Sequence, residues 1–234
     1  LAELPPGNHH SEYFRRSADF FHVVITRYRI KKITRCCVFM LKLVIFDFDD
    51  TLLHMNVRWD AVHGEVVALA RRDGVAVDPH QHLVPMGNAL SGTPARKKAI
   101  DSIYLKHESV CIDAKNYVVF PKMLALAKEL RARGTMLAVA SGNRSESINR
   151  ILAELGEKDL FALVCGREMV EHNKPAPDQL LLILAKTGVG RKDAIFAGDS
   201  INDAGAAKAA GVRHFHVRPN NENDIMALRK LLLE

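Results

Sequence analysis

The sequence predicts an α/β fold, a doubly wound parallel sheet interrupted by a small all-helical insertion, and three observations predict it. From Leu41 onward, short and nearly continuous apolar runs recur, each of a length suited to a strand buried on both faces. Stretches with apolar residues three and four apart separate these runs, as amphipathic helices require. Between positions 55 and 118 the runs stop while the helical spacing continues.

Leu41 to Phe46 is the first such run, and it ends abruptly in acidic residues. Thr135 to Ala140, Phe161 to Cys165, Ala194 to Ala197 and His214 to Val217 repeat the pattern, with turn signals such as Gly134, Gly156 and Gly211 before them. The intervening helices show their faces as Met123, Leu126, Ala127 and Leu130, then as Ile148, Ile151, Leu152 and Leu155. Leu180 to Leu184 is apolar almost all round. Strands that alternate with helices imply right-handed crossovers and a ligand site at the carboxyl ends of the strands, near a topological switch point. In the insertion, Trp59, Val62, Val66 and Leu69 form one helical face and Ile100, Ile103, Tyr104 and His107 another, with Gly74, Pro79, Pro85, Gly87, Gly92 and Pro94 marking turns between them. No strong strand is expected between Asp50 and about Val119. The chain therefore divides into an N-terminal basic extension (1–39), a core (40–54 and 119–234) and a helical insertion (55–118).

Composition sets the outer limits. The 234 residues are 48% hydrophobic and 26% charged, as in an ordinary globular protein. The longest apolar runs fall well short of the roughly 18 residues a membrane helix needs. Four cysteines, two of them adjacent at Cys36 and Cys37, form neither a disulfide framework nor a zinc spacing, which favours a reducing, cytoplasmic setting. The net charge is +6, of which the first 39 residues carry +4. Charge gathered in one terminal segment differs from the basic face of a folded nucleic-acid-binding domain. In that segment Val24, Thr26, Tyr28 and Ile30 alternate with Ile25, Arg27, Arg29 and Lys31, which reads as a short strand with one basic face or as an unstructured appendage. A transit-peptide reading is weakened by Glu3, Glu12 and Asp19.

Four segments carry chemistry. The first is Val44-Ile45-Phe46-Asp47-Phe48-Asp49-Asp50-Thr51, a buried strand running into three carboxylates and a hydroxyl. Like charges packed so closely raise one another's pKa, and such a cluster persists for a cation or a function. Gly198-Asp199-Ser200-Ile201-Asn202-Asp203 also follows a strand and opens an Ala-rich helix, where simple capping is the competing explanation. Together the two segments put two carboxylate pairs at one sheet edge, an oxygen-only donor set suited to Mg²⁺. Ser141-Gly142-Asn143 closes another strand and offers a hydroxyl and backbone amides to an anion. Lys174 sits in Asn173-Lys174-Pro175-Ala176-Pro177-Asp178, where two prolines fix the loop.

These four segments, in this order and at this spacing, resemble the haloacid dehalogenase superfamily of phosphohydrolases over about residues 41 to 217. Asp47, Asp49 and Thr51 match its Asp-x-Asp-x-Thr motif, Ser141 the second motif, Lys174 the third, and Gly198, Asp199 and Asp203 the fourth. The helical insertion is similar to the α-helical cap of the phosphoglycolate phosphatase and β-phosphoglucomutase branch, on a Rossmann-like core. The resemblance implies that Asp47 is the nucleophile, that Asp49 is the acid/base, and that Mg²⁺ is held by Asp47, the Asp49 carbonyl and Asp199. It further implies phosphate binding by Thr51, Ser141, Gly142, Asn143 and Lys174, with Asp203 orienting Lys174 or metal-bound water. Asp50 departs from the commonest family text, which has Gly there.

The expected activity is Mg²⁺-dependent hydrolysis of a small phosphorylated metabolite, phosphoglycolate-like, by a monomer or homodimer with no nucleic-acid or membrane partner. Two alternatives accompany it: a phosphomutase of the β-phosphoglucomutase type, and nucleic-acid or anionic-surface binding through the basic N-terminal segment. Asp49 argues against halide displacement, since dehalogenases of the superfamily lack that second aspartate. Arg96, Lys97 and Lys98 begin one helix of the insertion, and either a second anionic group on the substrate or an exposed basic face accounts for them.

Overall fold

Five parallel strands in the order β5-β4-β1-β6-β7 form the sheet of the computed structural model, which describes residues 41–234. The alternating strand and the charge cluster expected before residue 40 lie outside the described residues. Strand β1 (Leu43–Phe46) is central and fully buried. It pairs on one side with β4 (Met136–Ala140) and on the other with β6 (Ala194–Gly198), with Phe46 in register with Val139 and with Ala197. Strands β5 (Leu163–Cys165) and β7 (Arg213–His216) form the edges. The chain order runs outward from β1 in both directions, so the carboxyl ends of β1, β4 and β6 meet at the switch point.

Side chains alternate along β1 and divide the core into two layers. Val44 and Phe46 face helices α4 (Pro121–Ala132), α5 (Ser145–Glu154) and α8 (Glu222–Leu233) through Met123, Leu126, Ile148, Ile151, Ile225 and Leu228. Leu43 and Ile45 face α6 (Asp178–Thr187) and α7 (Ile201–Ala210) through Leu180, Ile183, Ala206 and Ala207. Each large apolar side chain so buried contributes about 1.5–3 kcal/mol, which ties the strand ends that carry the acidic segments to a rigid scaffold.

Helices α1 (Trp59–Arg72), α2 (Leu83–Leu90) and α3 (Pro94–Asp113) lie between β1 and α4 in sequence. The Thr93 hydroxyl accepts from the Arg96 amide at 3.3 Å and Pro94 occupies the first turn, which fixes where α3 starts. Two features differ from the sequence expectation. Leu53–Met55 (β2) and Tyr117–Val119 (β3) pair as a two-stranded antiparallel ribbon bracketing these helices, where no strand was expected. Three-residue strands are too short to show a period of two, and only the pairing makes them visible. On α3, Ile100 and Tyr104 are buried as expected, whereas Ile103 and His107 are half-buried and the acidic Asp101 and Glu108 are buried instead.

Candidate active site

Asp47 is the first residue after β1, and its amide donates to the Ala197 carbonyl at 2.9 Å, so the sheet pairing itself fixes the backbone there. The buried carboxylate takes two hydrogen bonds on Oδ1, from the Phe48 amide at 2.7 Å and from the Lys174 ammonium at 2.8 Å. Lys174 donates at 2.7 Å to Asp203 Oδ1 as well. One ammonium therefore serves two carboxylates. Asp203 Oδ2 accepts from the Ser200 amide at 2.9 Å and its hydroxyl at 2.6 Å, while Ser200 Oγ accepts from the Asp203 amide at 3.2 Å, a capping box that starts α7. The helix-capping and charge-holding readings of this segment thus coexist.

Two glycines make the close approaches. A Cβ on Gly198 would lie 2.7 Å from the Asp203 carboxyl, and one on Gly205 would lie 2.8 Å from Pro175 Cβ, beside Lys174. Neither a larger residue at the end of β6 nor one at that turn of α7 leaves room for the Lys174–Asp203 pair as it stands.

Carboxyl groups here titrate far from their ordinary range. Burial pushes Asp47 up to about 8, since Lys174 pulls it down but the neighbouring Asp203 pushes it up. Burial also works against the charge on Asp203, but Lys174 and Ser200 hold its carboxyl below the usual range. Burial opposes the Lys174 ammonium too, and Asp47 and Asp203 together outweigh it and raise its pKa. Asp49 is raised to about 7 by burial, against the Met55 amide that donates to its Oδ1 at 2.7 Å, with Asp50 and Asp199 adding repulsion. Half-buried Asp199 rises to about 6 through burial and the fields of Asp203 and Asp50.

Oxygens of Asp47, Asp199 and Asp203 all lie within 4.8 Å of one another, as do ligand atoms of Asp49, Asp50 and His54. Such a set offers only hard donors around a site where carboxylates repel, and it fits a divalent cation such as Mg²⁺. Because both oxygens of Asp203 are already bonded to Lys174 and Ser200, Asp47 and Asp199 are the side chains freer to ligate. Asp50 has φ 58, a left-handed conformation that aspartate tolerates and glycine prefers, and its carboxylate lies 2.6 Å from His54 Nδ1.

The sheet brings the second segment to the same edge, because β4 lies beside β1 at strand spacing. Ser141 and Asn143 are buried and Gly142 between them is exposed. The Ser141 amide donates to the Cys165 carbonyl at 3.1 Å and the Asn143 amide to Ser141 Oγ at 3.2 Å, whereas the Gly142 amide has no partner among the described residues. Thr51, expected among the phosphate-binding groups, is fully buried with its hydroxyl donating to Asp199 Oδ1 at 3.3 Å. Its contact is with a candidate metal ligand.

Three further residues hold this edge together. Gln179 donates to the Ser141 carbonyl at 2.7 Å and to the Cys165 carbonyl at 3.2 Å. Glu168 accepts from the Ser145 amide and hydroxyl at the start of α5. Glu108 of α3 accepts from Asn143 and Arg144, and burial pushes its carboxyl up to about 7. None belongs to a strand-end run, so the sequence patterns passed over all three.

Comparison with known proteins follows the same lines. A family model described as haloacid dehalogenase-like hydrolase matches residues 41–211. The chain is 34% identical over 93 residues to a phosphoglycolate phosphatase of Yersinia pestis, a stretch covering 40% of each. It is 34% identical over 93 residues to the phosphoglycolate phosphatase of Escherichia coli K12, which covers 40% of this chain and 37% of that protein. The chain thus matches less than half the length of these curated relatives. Among solved structures it is similar to one from Bacteroides fragilis described as a haloacid dehalogenase-like hydrolase, at 25% identity and a TM-score of 0.57, over 80% of this chain and 92% of the other.

Proposed function

Since the chain belongs to the haloacid dehalogenase-like hydrolase family, we propose that it is a Mg²⁺-dependent phosphomonoesterase acting on a small cytoplasmic phosphate ester, phosphoglycolate-like in character. The observation that carries this reading is the Asp47–Lys174–Asp203 chain at the carboxyl end of β1, with Asp199 close by and Asp49 two residues on. The curated relatives named above supply the substrate class.

Both hydrogen bonds to Asp47 fall on Oδ1, which leaves Oδ2 as the attacking atom. Attack on phosphorus forms the aspartyl-phosphate bond as the bond to the leaving alkoxy oxygen breaks. Asp49 gives that oxygen its proton, and its carboxylate then takes one from the water that hydrolyses the intermediate. The second step releases inorganic phosphate and restores Asp47. Lys174 neutralises charge that develops on Asp47 and on the phosphoryl oxygens, while Asp203 keeps the ammonium in place. The Gly142 amide is the unoccupied donor to the phosphoryl group, and Ser141 Oγ joins it by turning its one proton away from Asn143 Oδ1.

The residues that would hold Mg²⁺ are the Asp47 carboxylate, the Asp49 main-chain carbonyl and Asp199, the last steadied by Thr51. When bound, the cation supplies the positive charge that lets an anionic nucleophile approach an anionic ester. Helices α1 to α3 act as the cap that covers the site and excludes bulk water.

The test is phosphate release from a panel of small phosphate esters, with Mg²⁺ and with EDTA, for the wild type and Asp47→Asn. Turnover that EDTA and the substitution both abolish is the expected result. Equal activity in wild type and variant overturns the assignment of Asp47. Conversion of one sugar phosphate isomer to another without phosphate release moves the enzyme to the mutase class.

A further inference from the structure

Helix α3 carries its buried polar groups on one stripe, since Asp101, Tyr104 and Glu108 are three and four residues apart. Each meets a loop at the carboxyl edge of the sheet or the groups around it. Asp101 accepts from Arg167 Nε at 3.3 Å and from Lys97 Nζ at 3.4 Å, and the Arg167 guanidinium lies 3.4 Å over the centre of the Tyr104 ring. Glu108 reaches furthest toward the proposed phosphoryl end of the site. Fully excluded from solvent, it accepts from Asn143 Nδ2 at 3.2 Å and from the Arg144 amide at 3.3 and 3.2 Å on its two oxygens.

The bonds beyond it have a direction. Asn143 turns its NH₂ to Glu108 and its carbonyl Oδ1 toward Ser141, where the hydroxyl donates at 3.1 Å. The Asn143 amide in turn donates to Ser141 Oγ, which polarises that hydroxyl. Of the amides from Ser141 to Ser145, all but that of Gly142 are occupied, those of Arg144 and Ser145 by the carboxylates of Glu108 and Glu168. Protein carboxylates thus fill the start of α5, and the unoccupied donor that an incoming phosphoryl group meets on this turn is the Gly142 amide, with the Ser141 hydroxyl beside it bonded to Asn143 Oδ1.

We infer that Glu108 is a positioning residue of the inserted helices that acts through Asn143 to hold Ser141 and Gly142 in the geometry that receives the phosphoryl group. This inference rests on the phosphatase reading, and it adds a route by which α3 reports to the phosphate-binding turn. Glu108 touches neither substrate nor nucleophile. Its effect falls on phosphate affinity and KM more than on the chemistry at Asp47.

The experiment is a double-mutant cycle of Glu108→Met, which keeps the volume and removes the acceptor, with Asn143→Ala. The readouts are calorimetric affinity for inorganic phosphate in Mg²⁺ and steady-state hydrolysis of p-nitrophenyl phosphate. Each single variant is expected to weaken phosphate binding about tenfold, the worth of one well-placed hydrogen bond, with KM raised more than kcat is lowered. The double variant should be no worse than Asn143→Ala alone, and Glu108→Gln, which keeps an acceptor, should lie near the wild type. Phosphate affinity untouched by Glu108→Met, or losses that simply add, overturns the inference while leaving the phosphatase reading intact. If Glu108→Met does not fold, Asn143→Ala decides alone: unchanged phosphate affinity overturns the inference. A wild type that neither binds phosphate nor turns over ester overturns the phosphatase reading itself.

Discussion

Two sets of buried charges meet at the carboxyl edge of this sheet, and they are built on opposite principles. Around Asp47 one ammonium is shared between two carboxylates, and nearby carboxylates raise Asp47, Asp49 and Asp199 in addition to burial. Along α3, the Glu108 carboxyl is raised by burial alone, and each of its protein partners pulls it back down. The first set is short of positive charge and the second is fully bonded. Frustration of that kind is stable only where a cation completes it, whereas a satisfied set serves to hold elements in place. The comparison therefore separates chemistry from support without reference to any motif.

The largest expected effect lies in the frustrated set. Asp47→Asn should lower kcat for p-nitrophenyl phosphate by roughly 10⁴-fold or more, as loss of a nucleophile does, with the far-ultraviolet circular dichroism unchanged. Activity within tenfold of wild type would place the chemistry elsewhere. Next comes Gly198→Ala, whose new methyl would occupy space 2.7 Å from the Asp203 carboxyl and push it off Lys174. A displacement of about 1 Å in such a site costs on the order of 10²-fold in kcat/KM, so an unaffected Gly198→Ala enzyme would show that the Lys174–Asp203 contact is dispensable.

The satisfied set should respond in stability. Glu108 rises from an ordinary value of 4.5 to about 7 on folding. The folded state then keeps its proton where the unfolded state has lost it, so the stability it contributes is full below pH 4.5 and drains away as pH climbs to about 7. Against Glu108→Gln, which does not titrate, the wild type should lose up to roughly 3 kcal/mol across that window in urea melts. Parallel stability curves for the two proteins would mean that Glu108 is ionised throughout. The smallest effect belongs to the exposed Lys42–Asp193 pair at 2.8 Å, where Lys42→Ala should change stability by about 0.5 kcal/mol or less. A loss of several kcal/mol there would blur the line between the two sets and the surface.

The same contrast explains what the sequence made legible. Strands β1, β4 and β6 were readable because each is an apolar run that stops at a polar residue, and the site segments could be found by looking where those runs end. The structure brings Asp47, Asp199, Asp203 and Lys174 together from two such ends and one Pro-fixed loop. Thr51 was legible as part of a motif, but not its contact, which is with Asp199. The ribbon of β2 and β3 was hidden by its length. Asp101 and Glu108 were hidden by their chemistry, since acidic residues on a helix ordinarily mark its solvated side. Their spacing on the same stripe as Ile100 and Tyr104 was the one available signal.

The central claim is that Asp47 carries the phosphoryl group, and trapping that species tests it most directly. Asp49→Asn should be mixed with p-nitrophenyl phosphate and Mg²⁺, quenched in acid within a turnover, and mapped by peptide mass spectrometry. The nitrophenolate leaves without a proton, so the first step proceeds while hydrolysis of the intermediate lacks its base. The expected result is one added phosphoryl mass on the peptide that holds Asp47, absent when Asp47 is also replaced by Asn. Continued turnover with no phosphopeptide, or a phosphoryl group on any other residue, would contradict it.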